Sequence, residues 1–241
     1  MKKIFKNIFY LGSSDIISRF LNFIAVIYLA RNFGPKEMGV IAASISILTI
    51  GNILSELGLP ILGTKIISRS SKNLSGFLKK ILTLRLYLSI SIFLIILIIL
   101  RIYFFESDFY LLSIMYLFAL FPASFLMEWV FQGFQNFKII SKGRILSTSV
   151  YLLWIILFTN KESDLIFIPI GWTVSIIFQS FYLGIINFKL LKIEYGKTNY
   201  SKYQILKKAF PLALSTIIAQ FIIQFPPIFL GFNDSFQGGL F

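Results

Sequence analysis

The chain has 241 residues, 57% hydrophobic and 14% charged, with a formal net charge of +13 and a mean hydropathy of +0.82. That balance excludes an ordinary soluble domain of this length. Cysteine and histidine are both absent, which removes disulfides, thiolate catalysis, Cys/His metal sites and imidazole acid–base chemistry; no metal or cofactor is expected, and a membrane enzyme is disfavoured because the outer loops are short and their acids form no evident constellation.

In chain order, seven apolar segments stand between short polar connections: residues 8–30, 38–55, 86–100, 109–127, 145–160, 165–188 and 209–233. A helix needs about 20 residues to cross a ~30 Å hydrocarbon core. The shorter runs reach that length when flanking Arg and Lys extend their charged ends toward the headgroups. Only the first segment carries charges inside it, Asp15 and Arg19. These breaks, with Ser13 and Ser14, suit a retained crossing better than a cleaved signal peptide. The expected fold is therefore all-α, a polytopic transmembrane helical bundle.

The connections alternate in charge. Lys2, Lys3 and Lys6 precede the first segment, and Lys65, Arg69, Lys72, Lys79 and Lys80 follow the second. Lys138, Lys142 and Arg144 follow the fourth, and Lys189, Lys192, Lys197, Lys202, Lys207 and Lys208 follow the sixth, so seventeen of the 23 cations share one side. The opposite connections hold only Arg31, Lys36, Arg101 and Lys161 among several acids. The positive-inside rule predicts a cytoplasmic N-terminus. The basic residues set topology and meet anionic lipid headgroups, so membrane lipids are expected partners and nucleic acid is not.

Asn32-Phe33-Gly34-Pro35 predicts a turn between the first two crossings. Pro60 is expected to end the second, followed by an amphipathic connection over 61–80. Pro122, Pro169 and Pro226-Pro227 are expected to kink or end their helices. The exits of the first and seventh crossings echo one another, through Asn32-Phe33-Gly34 and Asn233-Asp234 followed by Gly238. Six helices, a long linker and a repeat of helix one form the layout of a 6+6 transporter with parallel repeats. It divides the chain into a six-helix lobe at 1–186, a basic cytoplasmic linker at 187–208, and a seventh helix at 209–241 that opens an incomplete second lobe. The complete protein is then expected to be about twice as long, the present chain being a truncated or split product.

Gly12-Ser13-Ser14-Asp15 with Leu29-Ala30-Arg31-Asn32-Phe33-Gly34-Pro35, Glu56-Leu57-Gly58-Leu59, and Ala209-Phe210-Pro211-Leu212 resemble stretches of bacterial polysaccharide (O-antigen type) flippases, of the multidrug/oligosaccharidyl-lipid/polysaccharide exporter superfamily. The most specific is Glu128-Trp129-Val130-Phe131-Gln132-Gly133-Phe134-Gln135-Asn136, which is similar to that family's Trp-x-Phe-Gln-Gly segment. The resemblance implies export of undecaprenyl-diphosphate-linked oligosaccharide across the bacterial inner membrane by alternating access. Polysaccharide polymerase and glycosyltransferases are the implied partners. The alternatives are a drug or cation exporter of the same superfamily and a scaffold that transports nothing.

Asp15, Arg19 and Asn22 share a helical face, and ionisable groups in a span usually face an interior or aqueous cavity. Two readings are open: Arg19 meets a diphosphate while Asp15 binds a coupling cation, or the pair neutralises itself to permit insertion. Ser46, Thr49, Asn52 and Glu56 form a second stripe, where small polar residues also glue helices. Glu56 is a candidate for cation coupling or a partner of Lys65 or Arg69. Glu128 has the corresponding alternative with Lys138, and Trp129 that of an interfacial anchor. Gln179, Gln220 and Gln224, with Tyr182 and Thr216, are candidates for lining a sugar-accepting cavity or for interhelical hydrogen bonds. Arg85 is a candidate for diphosphate binding at the inner leaflet or a side chain reaching toward headgroups.

Overall fold

Backbone chemistry at glycines and prolines sets where the helices stop. The computed structural model of the chain describes residues 2–69, 74–105, 107–159, 162–191 and 201–237, and its long elements are all helices. Helix α1 (Lys2–Glu56) carries the first two crossings, separated at Gly34, whose φ of 76° and ψ of 178° leave helical geometry. Glycine reaches that φ without a side-chain clash. Pro35 then opens the second arm, where a missing N–H costs no helical bond.

The second arm does not end at Pro60, as expected. It ends at Leu57 and Gly58, which both take positive φ (43° and 71°), and Pro60 lies in the first turn of α2 (Leu59–Arg69). Proline suits the start of a helix better than its end. After α3 (Leu74–Phe104), the fourth crossing divides into α4 (Asp108–Leu117) and α5 (Leu120–Ser124). Pro122 explains the division: it has no N–H to return to Phe118 O, which instead accepts Phe121 N at 3.3 Å.

The short helix α6 (Glu128–Gly133) ends on Gln135, in left-handed conformation at φ 55°. Gln135 N donates to Gln132 O at 2.9 Å and Asn136 N to Phe131 O at 2.8 Å, the paired bonds of a Schellman ending. Then come α7 (Phe137–Phe158), a 3-10 turn at Glu162–Ile166, α8 (Phe167–Leu191) with Pro169 in its first turn, and α9 (Lys202–Gln237). Pro226 and Pro227 do not end α9, since membrane helices tolerate proline where the rest of the helix holds. Of the expected linker at 187–208, the ends belong to α8 and α9 and residues 192–200 lie outside the described residues, as does Gly238.

Five helices are long and apolar enough to cross a membrane. The first contains two of the predicted crossings, and the shorter apolar stretch Phe109–Ser124 supplies another, so every predicted crossing has a helix. Paired contacts give their directions. The first arm of α1 runs parallel to α7: Tyr10 O accepts from Ser141 Oγ at 2.7 Å, Ser18 meets Thr148 at 3.5 Å, and Asn32 Nδ2 donates to Thr159 O at 3.0 Å. The second arm runs parallel to α4 and α5, Ser44 facing Ser113 at 3.1 Å and Gly51 facing Leu120. It runs antiparallel to α3, Gly51 facing Ile96 and Glu56 facing Arg85. Helix α8 is antiparallel to α7, with Gly143 against Leu183 and Trp154 Nε1 donating to Phe167 O at 2.9 Å. The alternation follows the charge pattern, and the basic connections gather at one end.

An apolar core of Leu29, Phe33, Ile41, Leu100, Phe109, Tyr116 and Ile155 closes the opposite end. At the basic end, α2, α6 and the start of α9 pack together through Leu59, Ile67, Trp129, Ile205 and Ala209. A Cβ at Gly63 would overlap the Trp129 indole, and one at Gly133 would press on Ile67 at 2.7 Å. Trp129 is therefore buried between two short helices rather than set at the interface, because Gly63 leaves room for its ring.

Candidate functional site

Two guanidinium groups organise the basic end of the bundle. The first, Arg85 on α3, is buried: it ion-pairs with Glu56 at 2.9 Å and donates to Leu126 O at 2.7 Å and Ala123 O at 2.9 Å. Those carbonyls lie at the C-terminal end of α5 and just beyond it, where a helix leaves acceptors open; Ala123 O also accepts Leu126 N at 3.0 Å. Arg85 therefore folds inward instead of extending to the headgroups. Glu56 pairs with Arg85 rather than with Lys65 or Arg69, because Leu57 and Gly58 end α1 just where α3 passes.

The second guanidinium is Arg144, near the start of α7. Its Nε donates to Glu128 Oε1 at 3.0 Å and its Nη2 to Glu128 Oε2 at 2.8 Å, a bidentate fork. Its Nη1 donates to Asp15 Oδ1 at 2.8 Å. Gln179 Nε2 on α8 donates to Glu128 Oε1 at 2.7 Å. Four helices, α1, α6, α7 and α8, thus converge on one charged cluster within an apolar bundle. The non-helical step at Leu126 and Met127 turns the chain so that Glu128 opens α6 facing inward.

The predicted candidates divide. Asp15 and Gln179 come together, joined through Arg144 and Glu128, and Glu56 and Arg85 form the second pair. Asp15 does not pair with Arg19: the parallel packing of α1 on α7 sets Arg144 opposite it, and a neighbouring helix offers better reach than a side chain four residues along. Arg19 is exposed at the edge of the same face, and Asn22 is half-buried there. Gln220 and Gln224 are half-buried, continuing the stripe of Ile205, Ala209 and Ala213 on α9. Among the described residues no hydrogen bond joins them to either cluster. Ser46 and Thr49 return their hydroxyls to Ala42 O and Ile45 O, and Thr216 to Ala213 O, each within its own helix.

Arg144 is the residue that sequence reasoning missed. It was grouped with the connection cations, although it borders the apolar run at 145–160 and Asp15 and Glu128 each lacked a settled partner. Lys138 is the nearer alternative partner for Glu128 in the sequence, but α7 carries Arg144 two turns further in, where both carboxylates are. An apolar groove of about 540 Å³ lies apart from the charges, between α5 and α8, lined by Pro122, Phe125, Ile177, Phe181 and Phe188 among others.

A family model described as polysaccharide biosynthesis protein matches residues 4–236. The chain belongs to this family. No curated protein and no solved structure matches it. As a member of the polysaccharide biosynthesis family with several long apolar helices, it is an integral membrane protein, a transporter connected at family level with polysaccharide biosynthesis. Within this member the Trp-x-Phe-Gln-Gly segment has a physical role at each end. Glu128 holds Arg144, Trp129 fills the space over Gly63, and Gly133 admits Ile67.

Proposed function

We propose that this protein moves polyprenyl-diphosphate-linked oligosaccharide from the inner to the outer leaflet of the bacterial cytoplasmic membrane, by alternating access and with its N-terminus in the cytoplasm. The observation that supports this reading is the half-open charged cluster of Asp15, Arg144, Glu128 and Gln179, built where four helices of an apolar bundle meet. A polyprenyl tail is at home in lipid, whereas its sugar–diphosphate head would be left unsolvated there. A polar lining lowers that barrier and requires no bond-making residue.

Arg19 and Asn22 extend the polar edge along α1 toward the middle of the membrane. Gln220 and Gln224 supply amides for sugar hydroxyls, and Arg85 supplies a buried cation one helix away. Asp15 and Glu56 are the carboxylates through which a cation would couple. Two negative charges moving outward against 100 mV, interior negative, gain about 4.6 kcal/mol. Glycosyltransferases would supply the substrate and a polymerase would consume it.

The test is transfer of fluorescently labelled lipid-linked oligosaccharide across proteoliposomes containing the protein. Time-dependent transfer absent from empty liposomes is expected. Movement of an organic cation without lipid transfer would favour the drug-exporter alternative, and movement of neither would favour a scaffold.

A further inference from the structure

We propose that Asp15 is a placeholder: its carboxylate occupies the position on Arg144 that an oxygen of a lipid-linked diphosphate takes during transport. The inference rests on the transport reading above and assigns Arg144 as the headgroup-binding cation.

The three charged members of the cluster are held very differently. Glu128 grips Arg144 through both carboxylate oxygens, receives a further bond from Gln179, and is only 16% exposed. Asp15 touches Arg144 through one oxygen at 2.8 Å and is 48% exposed. The Arg144 side chain is 31% exposed. One carboxylate is therefore structural, and the other can exchange with an incoming anion.

A phosphate oxygen matches a carboxylate oxygen as a charged acceptor, and the planar guanidinium donates to either. Exchange at Nη1 leaves no buried donor unsatisfied, because the bond lost to Asp15 is regained from the ligand. The displaced Asp15 is not stranded, since Arg19 lies one helical turn along α1 and is exposed. Charge decides how readily the exchange occurs. Two carboxylates around one guanidinium leave the resting cluster with one surplus negative charge, a repulsion that a diphosphate must overcome and that removal of the Asp15 charge relieves.

The test uses the protein in nanodiscs with undecaprenyl diphosphate as the probe, and native mass spectrometry to read binding. Asp15→Asn, which keeps the shape but removes the competing charge, is expected to bind about tenfold more tightly than the unsubstituted protein. Arg144→Lys, which keeps the charge but loses the planar fork, is expected to bind at least about tenfold more weakly. A gain of binding by Asp15→Asn cannot arise from misfolding. Unchanged or weaker binding by Asp15→Asn, or undiminished binding by Arg144→Lys, overturns the placeholder role. If the unsubstituted protein transfers lipid-linked oligosaccharide while these variants behave so, transport stands without it. If the variants bind as expected but no oligosaccharide crosses, the exchange of Asp15 for a diphosphate on Arg144 holds as a binding event only, and the transport reading falls.

Discussion

Glu128 and Arg144 face each other through two nearly parallel hydrogen bonds although one opens a short helix and the other lies sixteen residues on, inside a long one. The turn between them, closed by left-handed Gln135, is what brings the chain back onto itself. Joint substitution measures how much this fork contributes. Glu128→Gln and Arg144→Lys should show a coupling of about 1–3 kcal/mol in a double-mutant cycle, read from thermal unfolding in detergent. Additive effects would mean the fork adds nothing to stability.

Arg85 and Glu56 should behave unequally, because Arg85 also holds the carbonyls of Ala123 and Leu126. Arg85→Met is expected to lower stability by about 2–4 kcal/mol, through the loss of two charge-assisted bonds and the unpairing of Glu56. Glu56→Gln should cost about 1 kcal/mol, since that side chain is 41% exposed and its charge is screened by solvent. Equal losses from the two substitutions would contradict the geometry.

The glycines at the basic end offer a third measurement. Gly58 has positive φ, and a Cβ there would collide with the backbone of Ala209 and Ala213 at the start of α9. Gly58→Ala should destabilise by about 3 kcal/mol, combining backbone strain with overpacking. Gly12→Ala is the control: a Cβ there meets nothing within 4 Å, and the helix should gain up to about 1 kcal/mol. Melting temperatures of the two purified variants check the contrast.

Topology can be read directly because the chain has no cysteine of its own. Lys36→Cys and Lys207→Cys introduce single thiols at exposed positions on opposite ends of the bundle. A membrane-impermeant maleimide applied to intact cells should label the first at once and the second only after permeabilisation. Labelling of both, or the reverse pattern, would invert or refute the orientation.

The crossings were legible in the sequence because lipid demands long uncharged runs, and the alternating charge of the connections matches the alternating directions of the helices. Gly34-Pro35 announced a break for the same local reason that it makes one. Pro60 misled because proline marks either edge of a helix, and only the φ values of Leu57 and Gly58 say which. The charged cluster was half visible. Asp15 stood out as an acid inside an apolar run, but its partner lies on another helix, and only the register of α1 on α7 decides that Arg144 rather than Arg19 faces it. Trp129 gave no sign of burial, because the space it fills belongs to Gly63 on a different element.

The corner at Gly34 carries one more consequence. With a single residue out of helical geometry between two crossings, the tip at Gly34 offers no stretch of extended chain. A protease needs several consecutive residues lying open in its cleft, so digestion of whole cells should spare this link, and the first two crossings would remain covalently joined when longer connections have been cut.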